Sequence, residues 1–248
     1  NSNMSGIESI ANWIATKPKH GRYTFSRAEV EATFPEMSAE VLSATLSREA
    51  RKGRIMIPMN GFYVIIPDEY MLRGFAPQPF YLDDMMRHLK RNYYVALLSA
   101  GNYHGAAHQA PMSFCVMLEP PTMRGKKTDN YVTKYFYRST IPMEYVERRQ
   151  TWTGFINVSC PELTAVDLVA YQESVGSITR ASTVLAELVE KTDFGNLEPE
   201  FVKVAHVACF QRLGYIFDEI LGEFEAADAV YGLLRRAGVR LQKAALKP

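Results

Sequence analysis

Asn60-Gly61 separates two β-prone runs, Arg54-Ile-Met-Ile-Pro-Met59 and Phe62-Tyr-Val-Ile-Ile66. Both turn residues tolerate positive φ, so the pair is the strongest short-range hairpin signal a chain carries. Three helix signals stand before it. Ser5-Gly6-Ile7-Glu8 is a capping-box pattern, followed by Ile7, Ile10, Ala11 and Ile14 on one face and stopped ahead of Lys17-Pro18. Ser26-Arg27-Ala28-Glu29 repeats the pattern, with Val30 and Phe34 inward and Pro35 as terminator. Ser38 caps a third helix running to about Lys52, with Val41, Leu42, Leu46 and Ala50 inward and Gly53 at its stop. Three helices followed by a β-hairpin is the order of a winged helix-turn-helix, whose third helix enters a DNA major groove.

The 248 residues suggest one or two domains at roughly 150 residues per domain. Pro67, Gly74, Pro77 and Pro79 punctuate a strap over residues 67–82. The expected division is therefore 4–78, a winged helix-turn-helix domain with its strap, and 79–248, a larger mixed α/β domain; the fold class is α+β. In the second part, Asp83 to Arg91 and Tyr94 to His104 read as helices. Phe114 to Leu118, Tyr131 to Tyr137 and Phe155 to Val158 read as strands. Helices follow: Thr164-Ala-Val-Asp167 suits a start, and two stripes run through Ile178, Ala181, Leu185, Leu188 and Val189 and through Phe201, Val204, Ala205 and Ala208.

Three cysteines, Cys115, Cys160 and Cys209, lie 45 and 49 residues apart, which excludes a CxxC knuckle and argues against a secreted disulfide framework. A cytoplasmic protein is expected. No apolar run is long enough to span a bilayer, so no membrane partner is expected. Asn1-Ser2-Asn3 before Met4 reads as an appended remnant rather than a targeting signal.

Chemistry concentrates on the third helix. Its outer face carries Ser43, Ala44, Ser47, Arg48 and Arg51: short side chains that let a helix approach base edges, with guanidiniums suited to guanine or phosphate. Arg22, Arg27, Lys52 and Arg54 are further candidates for the DNA contact, set against a solvated face of a protein-interaction module. Residues 4–60 hold eight Lys or Arg against six acids, a modest excess. His104 and His108 are four apart but lack the acid of an HExxH motif and any third ligand, so structural roles are expected and no metal or cofactor is assigned. Ser99 beside His104 lacks a GxSxG elbow, leaving a hydrolase or nuclease as a distant reading with no catalytic residues assigned. Arg124, Lys126, Lys127, Lys134 and Arg138 interleave with Tyr131, Tyr135, Phe136 and Tyr137. This pattern suits either a surface for nucleic acid or an acidic partner, or a half-buried strand. The tail with Arg235, Arg236, Arg240, Lys243 and Lys247 is either a helix end favoured by the macrodipole or a basic surface.

Several stretches together resemble one family: Phe25-Ser-Arg-Ala-Glu-Val30, Leu46-Ser-Arg48 with Lys52-Gly-Arg-Ile55, Gly61-Phe-Tyr-Val-Ile-Ile-Pro67, Tyr93-Tyr-Val-Ala-Leu-Leu-Ser-Ala100 with His104-Gly-Ala-Ala-His-Gln109, Cys160-Pro-Glu-Leu-Thr-Ala-Val-Asp-Leu168, and Gln211-Arg-Leu-Gly-Tyr215. The chain resembles, over nearly its whole length, the AbiEi-type antitoxins of bacterial abortive-infection, type IV toxin–antitoxin operons. The resemblance implies an N-terminal winged helix binding inverted repeats in its own promoter and a C-terminal antitoxin domain countering a nucleotidyltransferase-like toxin, without catalysis. Partners are then double-stranded DNA and a cognate toxin or the toxin's substrate; direct neutralisation of the toxin is the alternative. Arg124, Lys126, Lys127, Arg235, Arg236 and Arg240, far in sequence from the third helix, are expected on the antitoxin surface. The hairpin tip, Met59-Asn60, carries no cation where a basic wing is expected.

Overall fold

The computed structural model describes residues 9–106, 113–123, 127–128 and 131–241. These form two compact units: one runs to Arg91 and takes in Arg149–Ile156, and the other comprises Asn92–Arg148 and the chain from Asn157.

In the first unit, α1 (Ile10–Thr16) is capped by Ser9, whose Oγ accepts from the Asn12 amide at 3.2 Å. The expected start at Ser5 to Glu8 lies outside the described residues. Strand β1 (Thr24–Ser26) leads into α2 (Arg27–Thr33), where Ser26 and Glu29 complete the capping box: the Glu29 amide donates to Ser26 Oγ at 3.2 Å and the Ser26 amide to Glu29 at 2.9 Å. Ser38 caps α3 (Ala39–Arg51). The hairpin of β2 (Ile55–Met59) and β3 (Phe62–Ile65) turns at Asn60-Gly61, with Gly61 at φ 76°. Its Gly61 carbonyl accepts from the first amide of α2, Arg27, at 2.8 Å, which ties the turn to that helix.

The three strands run β1-β3-β2, with Phe25 opposite Tyr63 and Ile55 opposite Ile65. Pro58 has no amide to donate, and it sits on edge strand β2, where the register shifts between Met56 and Met59. Ile10, Trp13, Phe25, Val30, Leu42 and Leu46 fill the core beneath, each such burial contributing about 1.5–3 kcal/mol. Val41, expected inward, is 52% exposed, whereas Glu49 is buried. The inward stripe is Leu42, Leu46 and Glu49, at i, i+4 and i+7, and Val41 lies one residue out of phase with it.

The first unit does not end at residue 78. Two 3₁₀ turns, Asp68–Arg73 and Gln78–Phe80, lead into α4 (Leu82–Leu89). Phe80 packs edge-on against Tyr23 and Tyr70, and Thr24 Oγ1 donates to Asp84 at 2.7 Å, so the strap and α4 belong to the same unit.

In the second unit, β4 (Tyr93–Val95) precedes α5 (Leu97–Tyr103), which corrects the single helix expected from Tyr94 to His104. Then come β5 (Ser113–Leu118), β6 (Lys127–Thr128), β7 (Tyr131–Tyr137), β8 (Val146–Thr151) and β9 (Gly154–Ser159), residues 149–151 and 154–156 of the last two being those that belong to the first unit. The sheet order is β6-β7-β5-β4-β9-β8, with β5 parallel to β7, β4 parallel to β9 and β4 antiparallel to β5. Strand β8, with the pattern Glu147-Arg-Arg-Gln150, was not anticipated.

Helix α6 (Pro161–Ala170) is buried from Glu162 to Val169, as a helix apolar nearly all round must be. It starts at Pro161, not Thr164: Cys160 is its cap, with Sγ accepting from the Leu163 amide at 3.4 Å. The α7 helix (Ile178–Leu188) follows, and a 3₁₀ turn at Pro199–Val204 precedes α8 (Val207–Tyr215). The single stripe expected from Phe201 to Ala208 is therefore broken at Ala205, which is extended at φ −154°. A π-helical turn, Ile216–Leu221, and α9 (Phe224–Arg236) complete the unit. Tyr94, Met117, Leu163, Leu185, Phe210 and Leu233 share its core.

Candidate functional site

On α3 the candidate residues divide by what they already hold. Arg27 donates to Glu31 at 2.7 Å, to Ser43 Oγ at 2.9 Å and to the Ala39 carbonyl at 2.9 Å, lashing α2 to α3. Ser43 is occupied by that bond and by its own donation to the Ala39 carbonyl at 2.8 Å. Arg22 pairs with Glu29 at 2.6 Å. Lys52 and Arg54 both grip the buried Glu49 carboxylate, at 3.0 and 2.9 Å. Burial alone would push the Glu49 pKa up, but hydrogen bonds from Lys52 and Arg54 outweigh it and hold the carboxyl below its ordinary range.

Ser47, Arg48 and Arg51 differ: all three are exposed, and neither arginine has an ion-pair partner among the described residues. Spacings of three and four place Ser47, Arg48 and Arg51 together on one helical face, beside exposed Ala44. Eight positions expected at DNA thus reduce to three with uncommitted side chains and five with internal partners.

Of the residues expected on an antitoxin surface, Arg124 and Lys126 lie outside the described residues; Lys127 is in β6, with its side chain outside the described part. Arg235 and Arg240 are exposed. Arg236 donates to the Phe194 and Leu197 carbonyls at 3.2 and 3.1 Å. Lys243, Lys247 and His108 also lie outside the described residues. His104 is buried, with Nε2 2.7 Å from the Ser159 carbonyl oxygen. Ser99 Oγ accepts from the Cys115 amide at 2.9 Å and donates to the Ser113 carbonyl at 3.3 Å, a bridge between α5 and β5. Among the described residues no cluster of three His, Cys, Asp or Glu is placed to hold a metal, and no helix is long and apolar enough to cross a membrane.

Arg138, for which the sequence left a basic surface and a half-buried strand both open, is internal. Its Nη1 donates to Tyr94 OH at 2.7 Å, its Nη2 to the Val204 carbonyl, and Tyr94 OH donates to Asp167 Oδ2 at 2.7 Å. Burial pushes the Asp167 pKa up to about 6, against the opposing pull of Arg138 and then Tyr94. Burial first, then the Asp167 charge, raises the Tyr94 phenol well above its ordinary value. Arg138 and Asp167 lie on the floor of a cleft of about 970 Å³, with Tyr137, Tyr145 and Tyr171 among its walls. No local spacing announces this site, because Tyr94 lies 73 residues from Asp167 and 44 from Arg138.

The stretch around Cys160 is attached to the same region. Besides the Cys160 cap, Glu162 accepts from the Asp193 amide at 2.6 Å and Thr164 Oγ1 donates to the Cys160 carbonyl at 2.8 Å, while Asp167 faces Tyr94. The conformation of α6 and its polar attachments are thus written into one short stretch.

Taken by fold, this is a mixed α+β protein with a small helix-and-hairpin unit and a larger sheet-and-helix unit. The sequence profile of the AbiEi antitoxin C-terminal domain matches residues 94–219, from β4 to the π-helical turn, and the chain belongs to the AbiEi antitoxin family. The crystal structure of the RV2827C protein from Mycobacterium tuberculosis has a similar fold: TM-score 0.67, 14% identity, covering 93% of this chain and 82% of that one. No curated protein matches the chain.

Proposed function

We propose that this antitoxin-family protein is a DNA-binding autorepressor that also counters a nucleotidyltransferase-like toxin encoded with it. The first unit is read as a winged helix-turn-helix, with α3 as the recognition helix and the β2–β3 hairpin as the wing. The order helix, strand, helix, helix, hairpin supports this. The observation that carries the reading is the free pair Arg48 and Arg51 on an exposed face with Ser47, where every other candidate cation of the unit is held by a carboxylate. A guanidinium without an internal partner reaches a base or phosphate without first breaking an ion pair. The second unit is read as the antitoxin domain, with exposed Arg235 and Arg240 on its functional surface.

The internal pairing of Arg22, Arg27, Lys52 and Arg54 favours, as a second reading, a module that holds the toxin directly and relies little on DNA. Titrating the full chain against DNA from upstream of its own operon, at fixed salt, separates the two. Specific binding weakened by about 1–3 kcal/mol in Arg48→Ala is the expected result. Operator affinity indistinguishable from that for random DNA, and unchanged in the variant, supports the second reading.

A further inference from the structure

We propose that the cleft of the second unit binds a planar nitrogen heterocycle of the nucleobase class, held edge-on by Asp167 and Arg138 at its floor. This inference stands apart from DNA binding and from antagonism of a toxin.

Its first support is an acceptor that lines the cleft. Asp167 is 1% exposed and lines the cleft; Oδ2 takes the Tyr94 hydroxyl, but Oδ1 has only the Arg138 Nη1 at 3.7 Å, beyond hydrogen-bond reach. A carboxylate oxygen has acceptor capacity beyond one long ion-pair contact, so a donor arriving in the cleft finds a partner there. The second support is a donor beside it. Arg138 is engaged through one bond from each terminal nitrogen, to Tyr94 and Val204, and a guanidinium has further N–H groups to offer. Acceptor and donor therefore lie together on one floor. Adenine, guanine and cytosine each present a matching edge, with an amino or ring N–H adjacent to an acceptor.

Charge narrows the class further. Arg138 and Asp167 neutralise each other, so a cation arriving there meets the guanidinium and an anion meets the carboxylate. The rim is mixed as well, with Glu144 and Glu200 against Lys203 and His206, and it does not select a polyphosphate. A neutral heterocycle fits these conditions. The walls are aromatic and held in place: Tyr145 packs edge-on with Phe201, with ring centroids 4.7 Å apart, and Tyr171 with Phe136 at 5.6 Å. A volume of about 970 Å³ accommodates a nucleoside, being at the upper end of ordinary small-molecule sites.

The test titrates the full-length chain with adenosine, guanosine and cytidine, and with ribose 5-phosphate as a control lacking the heterocycle, by calorimetry and ligand-observed NMR. At least one nucleoside is expected to bind with Kd below about 1 mM, with ribose 5-phosphate silent. Asp167→Asn is expected to weaken that binding about tenfold or more, since its amide nitrogen cannot accept. Tyr145→Ala, outside the buried network, is expected to weaken it too and keeps the test decisive if Asp167→Asn fails to fold. Glu200→Gln at the rim is expected to change nothing. Absence of nucleoside binding in the natural protein, ribose 5-phosphate binding as tightly, or affinity unchanged by both the wall variant and a folded floor variant would each overturn the proposal.

Discussion

Glu49 and Asp167 are both buried acids whose partners lower their pKa, yet the balance against burial falls in opposite directions. Glu49 has two cations within 3.0 Å, and its carboxyl is held below the ordinary range. Such a group contributes stability above its unfolded pKa, and that contribution is lost as pH falls through the lower folded value. Acidification below about pH 4.5 is therefore expected to loosen the first unit, and Glu49→Gln should remove that part of the pH dependence in thermal melts. Asp167 is raised to about 6, so the folded state keeps its proton where the unfolded chain has lost it. Between the ordinary carboxyl range and about pH 6, stability should fall as pH rises, with the cost fully present above that. A full-length Asp167→Asn variant whose melting temperature shows the same slope over that range would contradict this sign.

A glycine in α8 makes a sharper prediction. A Cβ on Gly214 would stand 2.7 Å from the Tyr231 ring of α9, a distance that rigid aromatic atoms cannot accept. Gly214→Ala should cost about 1–3 kcal/mol through overpacking, and markedly less in a Tyr231→Ala background. Equal costs in the two backgrounds, measured by denaturant unfolding, would mean that the ring is not the obstacle.

At the scale of elements, what could be read from the chain was local. The Ser26 and Glu29 capping box, the Ser38 cap and the Asn60-Gly61 turn each act over two to four residues, and all appear where their patterns stand. Ser26→Ala should accordingly destabilise the first unit by about 0.5–2 kcal/mol, and Leu46→Ala, in its core, by about 2–5 kcal/mol; chemical denaturation measures both. What was missed depended on partners far along the chain. Tyr93-Tyr-Val95 belongs to a continuous apolar run, which periodicity cannot divide between helix and strand; pairing with β5 and β9 decides it. Thr164 has the chemistry of a cap, but Cys160 and Pro161, four and three residues earlier, take that place. Arg138 alternates with aromatics like a surface cation, and only its distant partners Tyr94 and Asp167 make it internal. On α3, the outward face was legible, but the division of its cations into bound and free was not, because the binding carboxylate of Glu49 sits on the inward stripe.

For the whole molecule, the proposed division gives one face of α3 to the promoter and the second unit to the antitoxin role. Arg48 and Arg51 have no ion-pair partner among the described residues, so removing both should leave the fold and the second unit intact. The most direct measurement takes promoter repression and survival of toxin expression in the same cells, comparing the full-length protein with its Arg48→Ala/Arg51→Ala variant at matched protein levels. The expected result is a promoter derepressed by at least about tenfold with survival unchanged. Repression retained by the double variant, or survival lost together with repression while the protein stays folded, would contradict the division of roles.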